Sequence, residues 1–145
     1  HAIPDAHLTI IGSNPTAKVK SLESTQIHVT GYVTDEQLEQ YYKKARLCII
    51  PLRFGAGVKG KTIEAMYHKV PIVSTSTGTE GLPGIEQYLP ATDDEEAFTQ
   101  RAICLCQSEE ASRIEAGGYY DYLKRYFSRE RAEKLFREVF NEEND

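Results

Sequence analysis

Tryptophan is absent from this chain of 145 residues, methionine occurs once and cysteine three times. An odd, sparse set (Cys48, Cys104, Cys106) is no disulfide framework, which fits a reducing, cytoplasmic setting. Cys48 falls inside an apolar run and reads as core. Cys104 and Cys106 stand two apart on an expected helix, so they point to different faces and do not share a metal. The four histidines (His1, His7, His28, His68) have no ligand spacing, so no metal is expected. Long apolar runs are also missing: nothing approaches the ~20 residues of a membrane helix. The opening His1-Ala2-Ile3-Pro4-Asp5 lacks the charged and apolar regions of a signal peptide. Positive charge is in deficit. Seventeen Lys and Arg against 22 Asp and Glu leave a net charge of −5, a poor match to nucleic acid or an anionic membrane surface. Repeats and low-complexity stretches are absent too. The remainder, 40% hydrophobic and 27% charged, suits one globular domain with a real core.

Short apolar runs alternate with helical patterns. Strands are expected at Leu8–Gly12, Ile27–Gly31, Leu47–Leu52 and Val70–Ser74, with a weak fifth near Tyr88-Leu89. These runs are almost continuously apolar, as strands covered on both faces are. Thr34-Asp35-Glu36-Gln37 reads as a capping box opening a helix that carries Leu38, Tyr41, Tyr42 and Ala45 at helical spacing. A short helix is expected over Thr62–His68. Asp93-Asp94-Glu95-Glu96 opens another, its carboxylates complementing the helix dipole rather than holding a metal. Glu109–Phe127 reads as a helix interrupted at Gly117-Gly118, and Ser128 caps a last helix carrying Ala132, Leu135, Phe136, Val139 and Phe140. The tyrosines at 119, 120, 122 and 126 read as packing. The class is α/β: a Rossmann-like three-layer domain over residues 1–145, with a parallel sheet of about five strands and C-terminal helices.

The densest signal is Gly55-Ala56-Gly57-Val58-Lys59-Gly60-Lys61-Thr62. A strand runs into a glycine-rich loop and a helix then opens, presenting free N–H groups and a positive dipole end to an anion. The residues satisfy G-x-x-x-x-G-K-[ST], the phosphate loop of NTPases. Three features oppose that label. The helix stops by Lys69-Val70-Pro71. No apolar strand ends in an aspartate to hold magnesium. The loop follows two complete strands rather than the first.

A wider set of residues carries a different likeness: Leu8–Gly12; Val29-Thr30-Gly31-Tyr32-Val33; Pro51-Leu52; Gly57 through Glu64-Ala65-Met66; Val70-Pro71-Ile72-Val73-Ser74-Thr75; and Gly78-Thr79-Glu80-Gly81-Leu82. Together they resemble the C-terminal, donor-binding half of a GT-B glycosyltransferase of the GT4 (glycosyl transferases group 1) family. The resemblance covers nearly the entire chain. It rests on the combination of E-A-M, a basic or glycine residue, P-[IV]-V and a later G-x-E-G.

The resemblance implies a retaining, metal-independent enzyme that moves a hexose from a nucleotide sugar to a glycan or lipid-linked acceptor. No cofactor is implied; the donor is the ligand. Glu64 would accept the ribose hydroxyls, since a carboxylate receives two O–H donors at once. N–H groups of Gly57, Val58, Lys59 and Gly60, with Gly55 shaping the turn, would face the diphosphate or sugar, and Lys61 would neutralise phosphate charge. Arg53 and the Lys59 side chain are weaker candidates. Gly31 and Val33 would sit against the base, and Glu80 belongs to the same donor set. The family's first acidic position, eight residues before Glu64, is here Ala56; no catalytic residue is assigned. The family domain also begins with a further strand whose loop supplies an arginine and a lysine, and nothing before Leu8 provides them. The expectation is therefore a fragment, inactive alone, lacking that strand and the acceptor-binding domain, through which any membrane association would come. Its sheet either closes up or borrows a strand. Two alternatives stand beside this reading: a P-loop NTPase using residues 55–62, and a non-catalytic α/β module binding an anion or a partner.

Overall fold

The computed structural model describes residues 3–133, which fall into two compact units, the first ending at Lys44 and the second beginning at Ala45. The first unit holds β1 (Leu8–Ile11), α1 (Ala17–Lys20), β2 (Ile27–Gly31) and α2 (Asp35–Lys44). β1 and β2 are parallel, Leu8 opposite Ile27 and Ile10 opposite Val29, with a slip between Ile10 and Ile11. A parallel pair needs a crossover, which residues 12–26 supply through α1. The outer edge of β2 is closed by its own approach segment. Val29 N–H donates to the Glu23 carboxylate at 2.6 Å, Ile27 N–H donates to Ser24 Oγ at 3.1 Å, and Ser24 N–H donates to the Ile27 carbonyl at 2.9 Å. Hydrogen bonds from His28 and Val29 hold the Glu23 carboxyl below its ordinary range. The capping box forms reciprocally: Thr34 N–H donates to Gln37 Oε1 at 2.9 Å and Gln37 N–H to Thr34 Oγ1 at 3.3 Å.

The second unit runs β3 (Cys48–Ile50), α3 (Gly60–Tyr67), β4 (Ile72–Ser74), α4 (Ser76–Thr79), a 3-10 turn (Ile85–Gln87), α5 (Glu95–Gln107), α6 (Glu109–Gly117) and α7 (Tyr119–Phe127). β3 and β4 are parallel, with Cys48, Ile49 and Ile50 opposite Ile72, Val73 and Ser74, so β3-α3-β4 is a βαβ unit. Its core is Ile50, Ala65, Met66, Val70, Ile72, Val73, Leu82, Ile85, Leu89, Leu105, Tyr119 and Tyr122.

Two expectations are corrected. The described residues form two parallel sheets of two strands each, one per unit, and not a single sheet of five. The fifth strand near Tyr88-Leu89 is absent. Gly84, at φ +62°, opens the 3-10 turn, and the N–H groups of Tyr88 and Leu89 both return to the Ile85 carbonyl, at 2.9 and 2.8 Å. Leu89 is apolar because it is core, not because it is strand.

Side chains fix the remaining ends. Asp94 caps α5 through Ala97 N–H at 2.7 Å. Asp93 accepts from Ser76 N–H and Oγ at 2.9 and 2.6 Å, which holds its carboxyl below the usual range. The expected interruption at 117–118 separates α6 from α7. α7 packs on α3 and buries Tyr119 and Tyr122, while Tyr120 stays exposed. Tyr119 Oη accepts the Ile72 N–H at 3.2 Å and donates to Glu115 Oε1 at 3.2 Å; Glu115 also accepts from Arg101 at 2.6 Å. The outer edge of β4 thus carries the Ile72–Tyr119 bond and a second one, from Thr92 N–H to the Ser74 carbonyl at 3.0 Å. Ser128 caps the start of a further helix through Arg131 N–H at 3.2 Å. Leu135, Phe136, Val139 and Phe140, expected on that helix, lie outside the described residues.

The C-terminus of α3 explains an oddity of the motif. Val70 N–H donates to the Ala65 carbonyl and Lys69 N–H to the Met66 carbonyl, at 3.0 and 2.9 Å. This is a Schellman ending, which needs a left-handed residue, and Lys69 takes it at φ +56°. Val70 and Ala65, at the two ends of the longer bond, are both buried.

Candidate functional site

β3 hands the chain to Pro51 and Leu52, and Thr75 pins that exit: its hydroxyl donates to the Leu52 carbonyl at 2.6 Å and its N–H to the Ile50 carbonyl at 3.2 Å. The loop then turns on Gly55 at φ +129° and Gly57 at φ +74°, values that L side chains rarely adopt. Lys59 is extended and occupies the N-cap of α3, but no side chain caps the helix. Thr62 N–H turns back to the Lys59 carbonyl at 3.0 Å, and the dipole makes that end of the helix attractive to anions.

The Lys59 side chain does not face outward. Its ammonium donates to the carbonyls of Gly55, at 3.2 Å, and Gly57, and pairs with Glu80 Oε2 at 3.5 Å. It is only 11% exposed, against 53% for Glu80. Gly81 seals the same contact. Its φ is +76°, and a Cβ there would stand 3.2 Å from Val58 Cγ2 and 3.3 Å from Val58 N. The segment Glu80-Gly81 is thus a buttress for the glycine-rich loop, a relationship between residues far apart in sequence that no local pattern announces.

Thr62, on the first turn of α3, is fully buried and its hydroxyl donates to the Gly78 carbonyl at 2.7 Å. Gly78 in turn lies so close to β3 and β4 that a Cβ would overlap Ser74 Oγ and reach 2.9 Å from Ile50 Cγ2. Lys61 is exposed, and its charge reaches Cys48, whose thiol burial nonetheless pushes up to about 11. Glu64 is exposed three residues after Lys61, on the same side of the helix. Arg53 pairs with Glu95 at 2.9 Å, but both side chains are more than four-fifths exposed, so the pair contributes little.

The second unit accordingly brings together Gly55, Gly57, Val58, Lys59, Gly60, Lys61 and Glu80 around one turn, with Glu64 on the helix that follows. Gly31 and Val33 belong to the first unit. There Gly31 lines an open hollow of about 590 Å³ with Ser13, Asn14, Thr30 and Tyr32, at the carboxyl ends of β1 and β2, where parallel sheets take their ligands. Val33 is half-buried ahead of α2 and is not part of that lining. Among the described residues no group of three or more His, Cys, Asp or Glu is placed to hold a metal. No helix among them is long and apolar enough to cross a membrane.

Residues 1–108 match the sequence model of the family described as Glycosyl transferases group 1. A relative from Klebsiella pneumoniae, described as an uncharacterized 44.6 kDa protein in the cps region, is 28% identical over 96% of this chain. The chain spans 37% of the length of that relative.

Proposed function

The chain belongs to the glycosyl transferases group 1 family, and we propose that its second unit carries the diphosphate and ribose part of a nucleotide-sugar donor site. The carrying observation is the uncapped start of α3, reached through a turn that only glycines make, with Glu64 exposed farther along the same helix. In this reading the N–H groups of Gly57, Val58 and Gly60 and the charge of Lys61 receive the diphosphate, and Glu64 accepts the ribose hydroxyls.

The reaction is transfer of a hexose to a glycan or lipid-linked acceptor, retaining and without a metal, within a protein in which another domain binds the acceptor. Charge developing on the departing diphosphate is met by fixed backbone dipoles and Lys61, which need no reorganisation as it forms. The buried Thr62 hydroxyl supports this against a phosphate-loop NTPase, because that residue would have to reach a magnesium ion.

Calorimetry of the full-length protein with UDP, GDP and ADP tests the proposal. Binding of one diphosphate that persists in EDTA is expected. Absence of binding by all three, or strict dependence on magnesium, contradicts it and favours the non-catalytic module or the NTPase respectively.

A further inference from the structure

Resting on that donor-site reading, we propose that Lys59 and Glu80 are positioning residues for the diphosphate loop and that Lys59 makes no contact with the donor. The basic residue nearest the turn is the obvious phosphate ligand, but its geometry points elsewhere. The side chain is only 11% exposed, and its ammonium gathers two loop carbonyls, those of Gly55 and Gly57, with a carboxylate beside them. In a trans peptide the N–H points opposite to its carbonyl. Drawing the Gly55 and Gly57 carbonyls onto Lys59 therefore turns the N–H groups of Ala56 and Val58 away from it.

Glu80 keeps the ammonium on that inner side. It also balances the charge, since a nearly buried cation without a counter-charge is costly. Gly81 lets the buttress close: its missing Cβ leaves room for the Val58 amide, which any side chain at 81 would crowd to 3.3 Å. Four residues from two segments, Gly57 and Lys59 with Glu80 and Gly81, thus preset the turn before any ligand arrives. A pre-set loop binds more tightly because less ordering remains to be done.

The two roles for Lys59 predict opposite signs. If Lys59 had to leave Glu80 to reach phosphate, Glu80→Gln would free it and tighten diphosphate binding. In the positioning role, Glu80→Gln weakens binding about threefold, as loss of a half-exposed ion pair does. Lys59→Met weakens it by a similar factor, and the double variant is no worse than either single one. The dependence of affinity on salt separates the roles independently. Losing a cation that touches phosphate flattens it, whereas losing a positioning cation leaves its slope unchanged.

The experiment is titration of the full-length wild type, Lys59→Met, Glu80→Gln and the double variant with the nucleoside diphosphate that the wild type binds, at several salt concentrations. Hydrogen exchange of the amides of residues 56–60 in ligand-free protein is measured alongside. Weaker binding in both single variants, an unchanged salt slope and faster loop exchange are expected. Tighter binding in Glu80→Gln, a flattened slope in Lys59→Met, or unchanged loop exchange overturns the positioning role alone. A wild type that binds none of the diphosphates overturns the donor reading and this role with it.

Discussion

Thr62 Oγ1 donates to the Gly78 carbonyl oxygen at 2.7 Å, with Thr62 fully buried, so the hydroxyl at the last position of an apparent phosphate-loop motif is an internal strut. It ties the first turn of α3 to α4. Thr62→Val removes the donor, keeps the shape and leaves the Gly78 carbonyl buried without it. A loss of roughly 1–3 kcal/mol is expected from denaturant unfolding. Thr62→Ser keeps the hydroxyl and should recover most of the hydrogen-bond part. Neither change should introduce or abolish a magnesium effect on nucleotide affinity.

Lys69 sits in the left-handed region at the end of α3, where an L side chain costs about 1 kcal/mol and glycine costs little. Lys69→Gly is therefore expected to raise the unfolding midpoint, against the usual trend of glycine substitutions. The net gain is about 0.5 kcal/mol or less, since glycine also gives the unfolded chain more freedom. Lys69→Val should move it the other way. Thermal unfolding followed by circular dichroism decides.

Two buried tyrosines three residues apart should respond to the same substitution with opposite signs. Tyr119 Oη accepts the Ile72 N–H and donates to Glu115, so Tyr119→Phe strands a buried strand-edge amide and costs roughly 1–3 kcal/mol. Tyr122 Oη has no hydrogen-bond partner among the described residues, and burial pushes its phenol up to about 12. Its ring packs against Tyr88, Tyr126 and Phe127. Tyr122→Phe keeps those contacts and removes an unsatisfied hydroxyl, so stability should hold or rise. Chemical denaturation of the pair checks both signs.

Burial pushes the Cys48 thiol from its ordinary 9.0 up to about 11, outweighing the opposing charge of Lys61. A raised value in the folded state means stabilisation that is complete below pH 9 and is lost as pH climbs through 11. Cys48→Val should remove that part of the alkaline loss. At pH 8 a thiol reagent should modify exposed Cys104 promptly and the half-buried, less ionised Cys48 more slowly.

The α/β class, the capping box at Thr34 and Gln37, the break at Gly117-Gly118 and the cap at Ser128 were legible because each is written in neighbouring residues. The glycine-rich turn was legible too, since only glycine serves at φ +74° and +129°. Strand pairing was not, because apolar runs say that a segment is buried and not what lies beside it. That is why Leu89, a core residue after a 3-10 turn, passed for strand. The inward face of Lys59 was equally hidden, since it depends on Glu80 and Gly81, which lie 21 residues and more farther along the chain. The basic-or-glycine position of the motif acquires a reason in the left-handed Lys69.

Glu64 is proposed to read the ribose of a diphosphate held at the start of α3. The most direct test compares a ribonucleoside diphosphate with its 2′,3′-dideoxy counterpart in full-length wild type and Glu64→Ala. The wild type should prefer the ribonucleotide by about 10–100-fold, the worth of hydrogen bonds to a charged acceptor, and Glu64→Ala should erase the preference while still binding diphosphate. Equal affinity for both nucleotides in the wild type, or an undiminished preference in Glu64→Ala, would contradict it.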